Sequence, residues 1–185
     1  MKNEKKYLGI DIGTTSLKAA VFNAKGERLG LYSADYTLDT DSKTGYIEFD
    51  ANKYIDMCKA AIKTLTDECG KIDALSVDTQ GETLILTDKS GKPLCNAVVW
   101  LDNRAESEAE AIKNHFGNEK VYNVTGQPEI TAGWPASKLL WFKTISPTFS
   151  KRQKKYSCLK IGFFIALPAI SLRSPQFSRP LSTTT

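Results

Sequence analysis

The chain has 185 residues, 41% of them hydrophobic and 25% charged, which suits a soluble globular protein with one real core and excludes a collagenous or wholly disordered class. Its net charge of +4 is unevenly placed: Ser146–Thr185 holds seven basic residues and no acid, which leaves residues 1–145 with 18 of the 25 basic groups and all 21 acids, a net of −3. A nucleic-acid role would therefore rest on the tail alone.

Taken in chain order, Tyr7–Ile12 and Leu17–Phe22 are apolar runs rich in β-branched and aromatic residues, and they predict two strands joined by a tight link, Gly13-Thr14-Thr15-Ser16. A turn at Asn23–Gly26 leads to a third strand over Glu27–Asp35, and a short return follows near Tyr46–Phe49. Asp50 is placed to cap a helix over Ala51–Glu68, whose apolar positions Tyr54, Ile55, Cys58, Ala61, Ile62 and Leu65 recur at helical spacing and which Gly70 ends. Strands are predicted at Ile72–Val77, Leu84–Leu86 and Ala97–Trp100, with a polar link Asp78–Thr83 after the first. Asp102 or Asn103 would cap a helix over Arg104–Phe116. A short helix or turn covers Glu119–Thr125, and a last helix begins near Trp134-Pro135 and carries Lys138, Leu139, Leu140 and Trp141. Three antiparallel strands followed by helix-linked strands predict an α/β fold with a mixed sheet.

The cysteines, Cys58, Cys69, Cys95 and Cys158, are scattered without a C-x-x-C pair; this argues against zinc and a disulfide framework and fits a reducing, cytoplasmic setting. The single histidine, His115, lies in a polar helical stretch that suggests a surface role rather than a catalytic triad. The opening MKNEKK is no leader, and Ile161–Ile170 is too short to span a bilayer and is broken by Pro168, so no membrane association is expected.

Chemistry concentrates in the first hairpin. Asp11 ends a strand where Val or Ile would be usual. Behind it come a glycine, which lets backbone approach a ligand, and three hydroxyl residues able to meet a phosphate, while the carboxylate suits Mg²⁺. The Walker spacing is absent, so this is not a P-loop. A core hairpin with an incidental aspartate is the alternative.

Four segments resemble the N-terminal domain of the FGGY carbohydrate kinases, which include xylulokinase, ribulokinase and glycerol kinase: GIDIGTTSLKAAVFN at 9–23, LSVDTQGETLILTDKSGKPL at 75–94, NAVVWLDNRAESEAE at 96–110 and VTGQPEITAGWPASKLLWFK at 124–143. The resemblance covers most of 7–145 and implies an incomplete ribonuclease H-like domain of the actin-like ATPase class, with phosphoryl transfer from ATP, as its Mg²⁺ complex, to a sugar or polyol hydroxyl. It implies that Asp11 holds the metal and that Gly13, Thr14, Thr15 and Ser16 meet the phosphates. Lys18 stands where glycerol kinases have an arginine near the nucleotide; an exposed strand lysine is the alternative. Gln80, Gly81 and Glu82 would face the sugar. Glycerol kinases resemble N-Q-R-E-T at this link. Gly81 in place of the arginine speaks against glycerol and leaves room for a larger sugar, with a pentulose such as xylulose favoured, although the xylulokinase M-H-G link is not matched either. Trp100, Asp102 and Arg104 fit W-x-D-x-R, which places Asp102 and Arg104 at the substrate; a helix cap is the alternative for Asp102, and pairing with Asp102 or with an acid of the following helix is the alternative for Arg104. Trp134 is read as a core anchor or a sugar-stacking face. The small-molecule substrate is the expected partner, with self-association of a full-length form left open.

After Thr144 the family pattern stops. Read with each codon started two bases later and synonymous codons chosen, Leu159–Ser174 becomes EDWIFYRLTGDFVTES, close to the family's L-L-E-D-W-I-x-Y-R-L-T-G-x-F-V-T-E. The expectation is a domain over 1–145 and an aberrant basic tail over 146–185, frameshift-derived or disordered. The family's general-base aspartate would lie beyond residue 185, and the chain alone is expected to be inactive.

Overall fold

Alternation of inward apolar and outward polar side chains through residues 6–35 sets up a three-stranded antiparallel meander. The computed structural model describes residues 4–145 and the backbone of 155–158. In it the strands are β1 (Lys6–Ile12), β2 (Ser16–Asn23) and β3 (Arg28–Asp35), followed by β4 (Asp39–Thr40), β5 (Ile47–Phe49), the helix α1 (Ala51–Cys69), β6 (Ala74–Thr79), β7 (Leu84–Thr87) and β8 (Ala97–Val98). Three helices, α2 (Glu106–Phe116), α3 (Asn118–Thr125) and α4 (Pro135–Ile145), then lead to β9 (Lys155–Cys158).

The strands form two sheets. The first has the order β3-β2-β1-β6 and is mixed, because α1 crosses over and returns β6 parallel to β1. One face, Leu8, Ile10, Ile12, Leu17, Ala19 and Val21, packs on the apolar side of α1, where Tyr54, Cys58, Ala61 and Leu65 are fully buried. Asp50 caps α1 by accepting from Asn52 N–H, worth about 1 kcal/mol. Gly30 is required by closeness: a Cβ there would lie 2.7 Å from Cys69 Sγ and 3.0 Å from Leu65 Cδ2. The opposite face of this sheet is open and displays Tyr7, Asp11, Lys18, Phe22, Leu31, Ser76 and Asp78.

The second sheet, β4-β5-β8-β7-β9, is antiparallel throughout its observed pairs. All four residues of β7 are buried, and Phe142, Leu139 and Trp141 of α4 pack over Leu84, Leu86 and Val98. The predicted strands after α1 thus divide between two sheets. Short buried apolar runs carry no period that names their partner.

The helix predicted from Arg104 begins at Glu106 instead, and its N-cap position, Ala105, makes no side-chain capping bond. Asp102 is therefore not a helix cap, because its carboxylate accepts from the N–H groups of Arg104 and Ile47 and holds the bend before α2. Trp134 lies in a small core with Ala109 and Ile130, and His115 is exposed on α2. The expected tail from residue 146 lies outside the described residues, apart from the backbone of β9.

Candidate functional site

Two turns meet where β1 and β6 end side by side. The first, Gly13–Ser16, is closed by Gly13 N–H donating to Ser16 O at 2.9 Å. A Cβ at Gly13 would lie 3.2 Å from that same oxygen, so the glycine is what lets the turn tighten. The second, Gln80–Thr83, is joined to the first by Gln80 N–H donating to Ile12 O at 2.8 Å. Thr83 N–H donates to Gly81 O at 2.8 Å, which makes a three-residue turn centred on Glu82. Glu82 has φ 60°, the only positive value at a non-glycine among the described residues. Backbone strain of this kind, about 1 kcal/mol or more, gathers where a side chain must be aimed.

Asp11 is exposed on the open sheet face, with Lys18 opposite it on β2 and Asp78 opposite it on β6. The three line an open groove of about 290 Å³ floored by Gly9, Ala20 and Leu31. Asp11 makes no hydrogen bond or ion pair among the described residues. An unengaged carboxylate is a hard oxygen donor that fits Mg²⁺, and the Thr14, Thr15 and Ser16 hydroxyls beside the Gly13 turn fit phosphate oxygens. Lys18 lies in the groove beyond the turn, on the same face as Asp11.

The loop after β8 is tied to the first turn. Trp100 Nε1 donates to Thr14 Oγ1 at 3.1 Å, a link across 86 residues. Asp102, fully buried, accepts from Arg104 Nε (2.8 Å), Arg104 Nη2 (2.8 Å), Arg104 N (3.0 Å) and Ile47 N (2.6 Å). Burial alone would raise this carboxyl; the Arg104 side-chain bonds and the two backbone donors outweigh it and hold the carboxyl below its ordinary value. Arg104 also reaches Glu48 Oε1 at 2.8 Å and stacks 4.0 Å above the Tyr46 ring. Its side chain is 3% exposed, and with four donors on the Asp102 carboxylate the pair braces the loop.

Sequence reasoning missed Lys138 as part of the site. Lys138 shares the buried side of α4 with Ser137 and Phe142, and it is fully buried there. Its Nζ donates to Val99 O at 2.8 Å, just before Trp100. Burial pulls the amine down to about 8, against the opposing pull of Asp102 and Glu82. A lysine inside the apolar run S-K-L-L-W-F is the signal that could have marked it.

The family model for the N-terminal domain of the FGGY family of carbohydrate kinases matches residues 6–165. The chain belongs to the FGGY family of carbohydrate kinases. It is 32% identical over 158 residues to a gluconokinase of Bacillus licheniformis, covering 85% of this chain and 31% of that protein. It is 30% identical over 151 residues to a xylulose kinase of Staphylococcus xylosus, covering 80% and 31%. Among solved structures, a gluconate kinase from Lactobacillus acidophilus superposes with a TM-score of 0.80 at 29% identity, over 88% of this chain and 33% of that one. The fold is thus that of the FGGY kinases, a ribonuclease H-like α/β domain present in part. The chain spans about a third of the length of the relatives it matches. Among the described residues no helix is long and apolar enough to cross a membrane.

Proposed function

We propose that this chain is the N-terminal part of an ATP-dependent kinase acting on a sugar or polyol hydroxyl, with a pentulose such as xylulose favoured. What carries this reading is the junction of the two turns through Gln80 N–H and Ile12 O, which sets Gly13–Ser16 beside Gln80–Glu82. MgATP, when bound, supplies the phosphoryl group and much of the charge neutralisation. Asp11 holds the metal, and Gly13, Thr14, Thr15 and Ser16 orient the phosphates, with Lys18 adding positive charge from the groove. Gln80 and Glu82 accept from sugar hydroxyls. Gly81 favours a larger sugar than glycerol, since a Cβ built there meets nothing within 4 Å.

The same reading makes the chain inactive alone. None of the residues assigned here is a general base, the group that takes the proton from a hydroxyl during phosphoryl transfer. The stretch from residue 146 is taken as aberrant in sequence, although the backbone of 155–158 pairs with β7, and the scattered free cysteines suit the cytoplasm. Two measurements test the proposal. MgADP should raise the melting temperature of the chain, whereas an Asp11→Asn variant should lose that shift. An ATP turnover assay across pentuloses, hexuloses and polyols should show none, and clear turnover by the purified chain would overturn the inactive reading.

A further inference from the structure

Beneath the two turns lies a pair of tyrosines that neither turn's chemistry accounts for. Tyr36 follows β3. Its backbone N–H donates to Thr15 O at 2.9 Å, and its hydroxyl donates to Gly13 O. Tyr54, fully buried on α1, meets the Tyr36 ring edge-on with centroids 5.7 Å apart. Gln80 Nε2 donates to the Tyr54 hydroxyl at 3.0 Å. Each phenol has one proton and an oxygen that accepts. The Tyr36 proton is committed to Gly13, so its oxygen is the acceptor facing Tyr54. The Tyr54 oxygen is occupied by the Gln80 amide, so the Tyr54 proton is the one left to turn toward Tyr36. The two hydroxyls interact, and burial together with this contact pushes the Tyr36 phenol up; burial, against the opposing bonds from Tyr36 and Gln80, raises that of Tyr54 to about 12. Both therefore stay protonated donors through the neutral range.

The two ends of this arrangement are hydrogen-bonded, Gln80 Nε2 to the Tyr54 hydroxyl and the Tyr36 hydroxyl to Gly13 O, and the two phenols interact between them. With its nitrogen engaged by Tyr54, the Gln80 amide presents Oε1, which is buried without a hydrogen-bond partner. Such an orphaned acceptor costs about 1–3 kcal/mol until a donor arrives. A sugar hydroxyl is a donor of the right kind.

We propose that Tyr36 and Tyr54 are positioning residues: a buried hydrogen-bond relay that fixes the Gln80 amide for a sugar hydroxyl and ties its orientation to the Gly13 carbonyl of the phosphate turn. The ligands named rest on the function proposed above; the mechanical link between the turns does not. Hydrogen bonds in a chain polarise one another in a low-dielectric interior, so a change at one end is felt at the other.

The test uses the full 185-residue chain, labelled with ¹⁵N, as wild type, Tyr54→Phe, Tyr36→Phe and Ile62→Val. Ile62 packs on the same core from the same helix but lies outside the relay. Tyr54→Phe removes a hydroxyl that does not touch the phosphate turn, yet the Gly13, Thr14 and Thr15 amide resonances should move well beyond their scatter in Ile62→Val. Tyr36→Phe should move those resonances and also that of the Gln80 side-chain amide. MgADP affinity should fall roughly three- to tenfold in both phenylalanine variants at nearly unchanged melting temperature, as expected for loss of one hydrogen bond of alignment. If the turn resonances in both variants stay within the Ile62→Val scatter, the relay is refuted. If the resonances move but wild type binds no MgADP, the relay is supported and the nucleotide reading is what fails.

Discussion

Replacing Lys138 by methionine keeps most of the volume and removes a buried charge. The amine sits fully inside, pulled from its ordinary 10.5 to about 8 by burial. At about 1.36 kcal/mol per pH unit that gap corresponds to about 3 kcal/mol of opposition to folding while both states are protonated. The sign follows from proton counts. Below pH 8 the folded and unfolded chains both hold the proton, and the full penalty stands. Between about 8 and 10.5 the unfolded chain holds a proton that the folded chain has released, so stability rises with pH. Against this, methionine loses the bond to Val99 O, a carbonyl that still accepts from Asp102 N–H at 2.9 Å. That loss is worth about 1 kcal/mol. Lys138→Met should therefore be more stable than wild type by about 2 kcal/mol near neutrality and less stable by about 1 kcal/mol near pH 10.5. Urea denaturation followed by tryptophan fluorescence, run on both proteins across this range, reads the difference directly, and other alkaline titrations cancel in it. A difference that stays flat with pH, or slopes the other way, would refute the buried-ammonium reasoning.

Two further outcomes follow from the loop after β8. Asp102→Asn removes one of the two carboxylates that hold the buried Arg104 guanidinium, leaves Glu48, and should destabilise the chain by about 1–3 kcal/mol at neutral pH. Because the folded carboxyl lies below its ordinary 3.8, the wild-type advantage is present above that value and should fade as pH drops through the lowered one, measurable as convergence of the two acid-denaturation curves. Gly133→Ala would place a Cβ 2.9 Å from Trp100 O, so it should cost about 1–3 kcal/mol in chemical denaturation and shift the fluorescence of the Trp100 loop; unchanged stability would mean that this contact yields freely.

Much of the fold was legible in the residues themselves. The alternation in Tyr7–Ile12 and Leu17–Phe22 forces a half-buried hairpin, and the helical spacing from Tyr54 to Leu65 forces a helix with one buried side. Local chemistry also singled out Asp11 and the Gly13–Ser16 link as candidates, and Asp11 lies on the open face of the sheet. Partner choice was not legible. That Leu84–Thr87 joins β8 and β9 rather than the first sheet, that Asp102 accepts from Ile47, that Lys138 donates to Val99 and that Tyr54 accepts from Gln80 are outcomes of contacts that span from 14 residues (Leu84 to Val98) to 74 (Leu84 to Cys158). A one-dimensional pattern encodes which side of each element is apolar, since that depends on neighbours three or four residues away. Which polar atom finds which donor depends on where independent elements come to rest, and only the packed chain decides it.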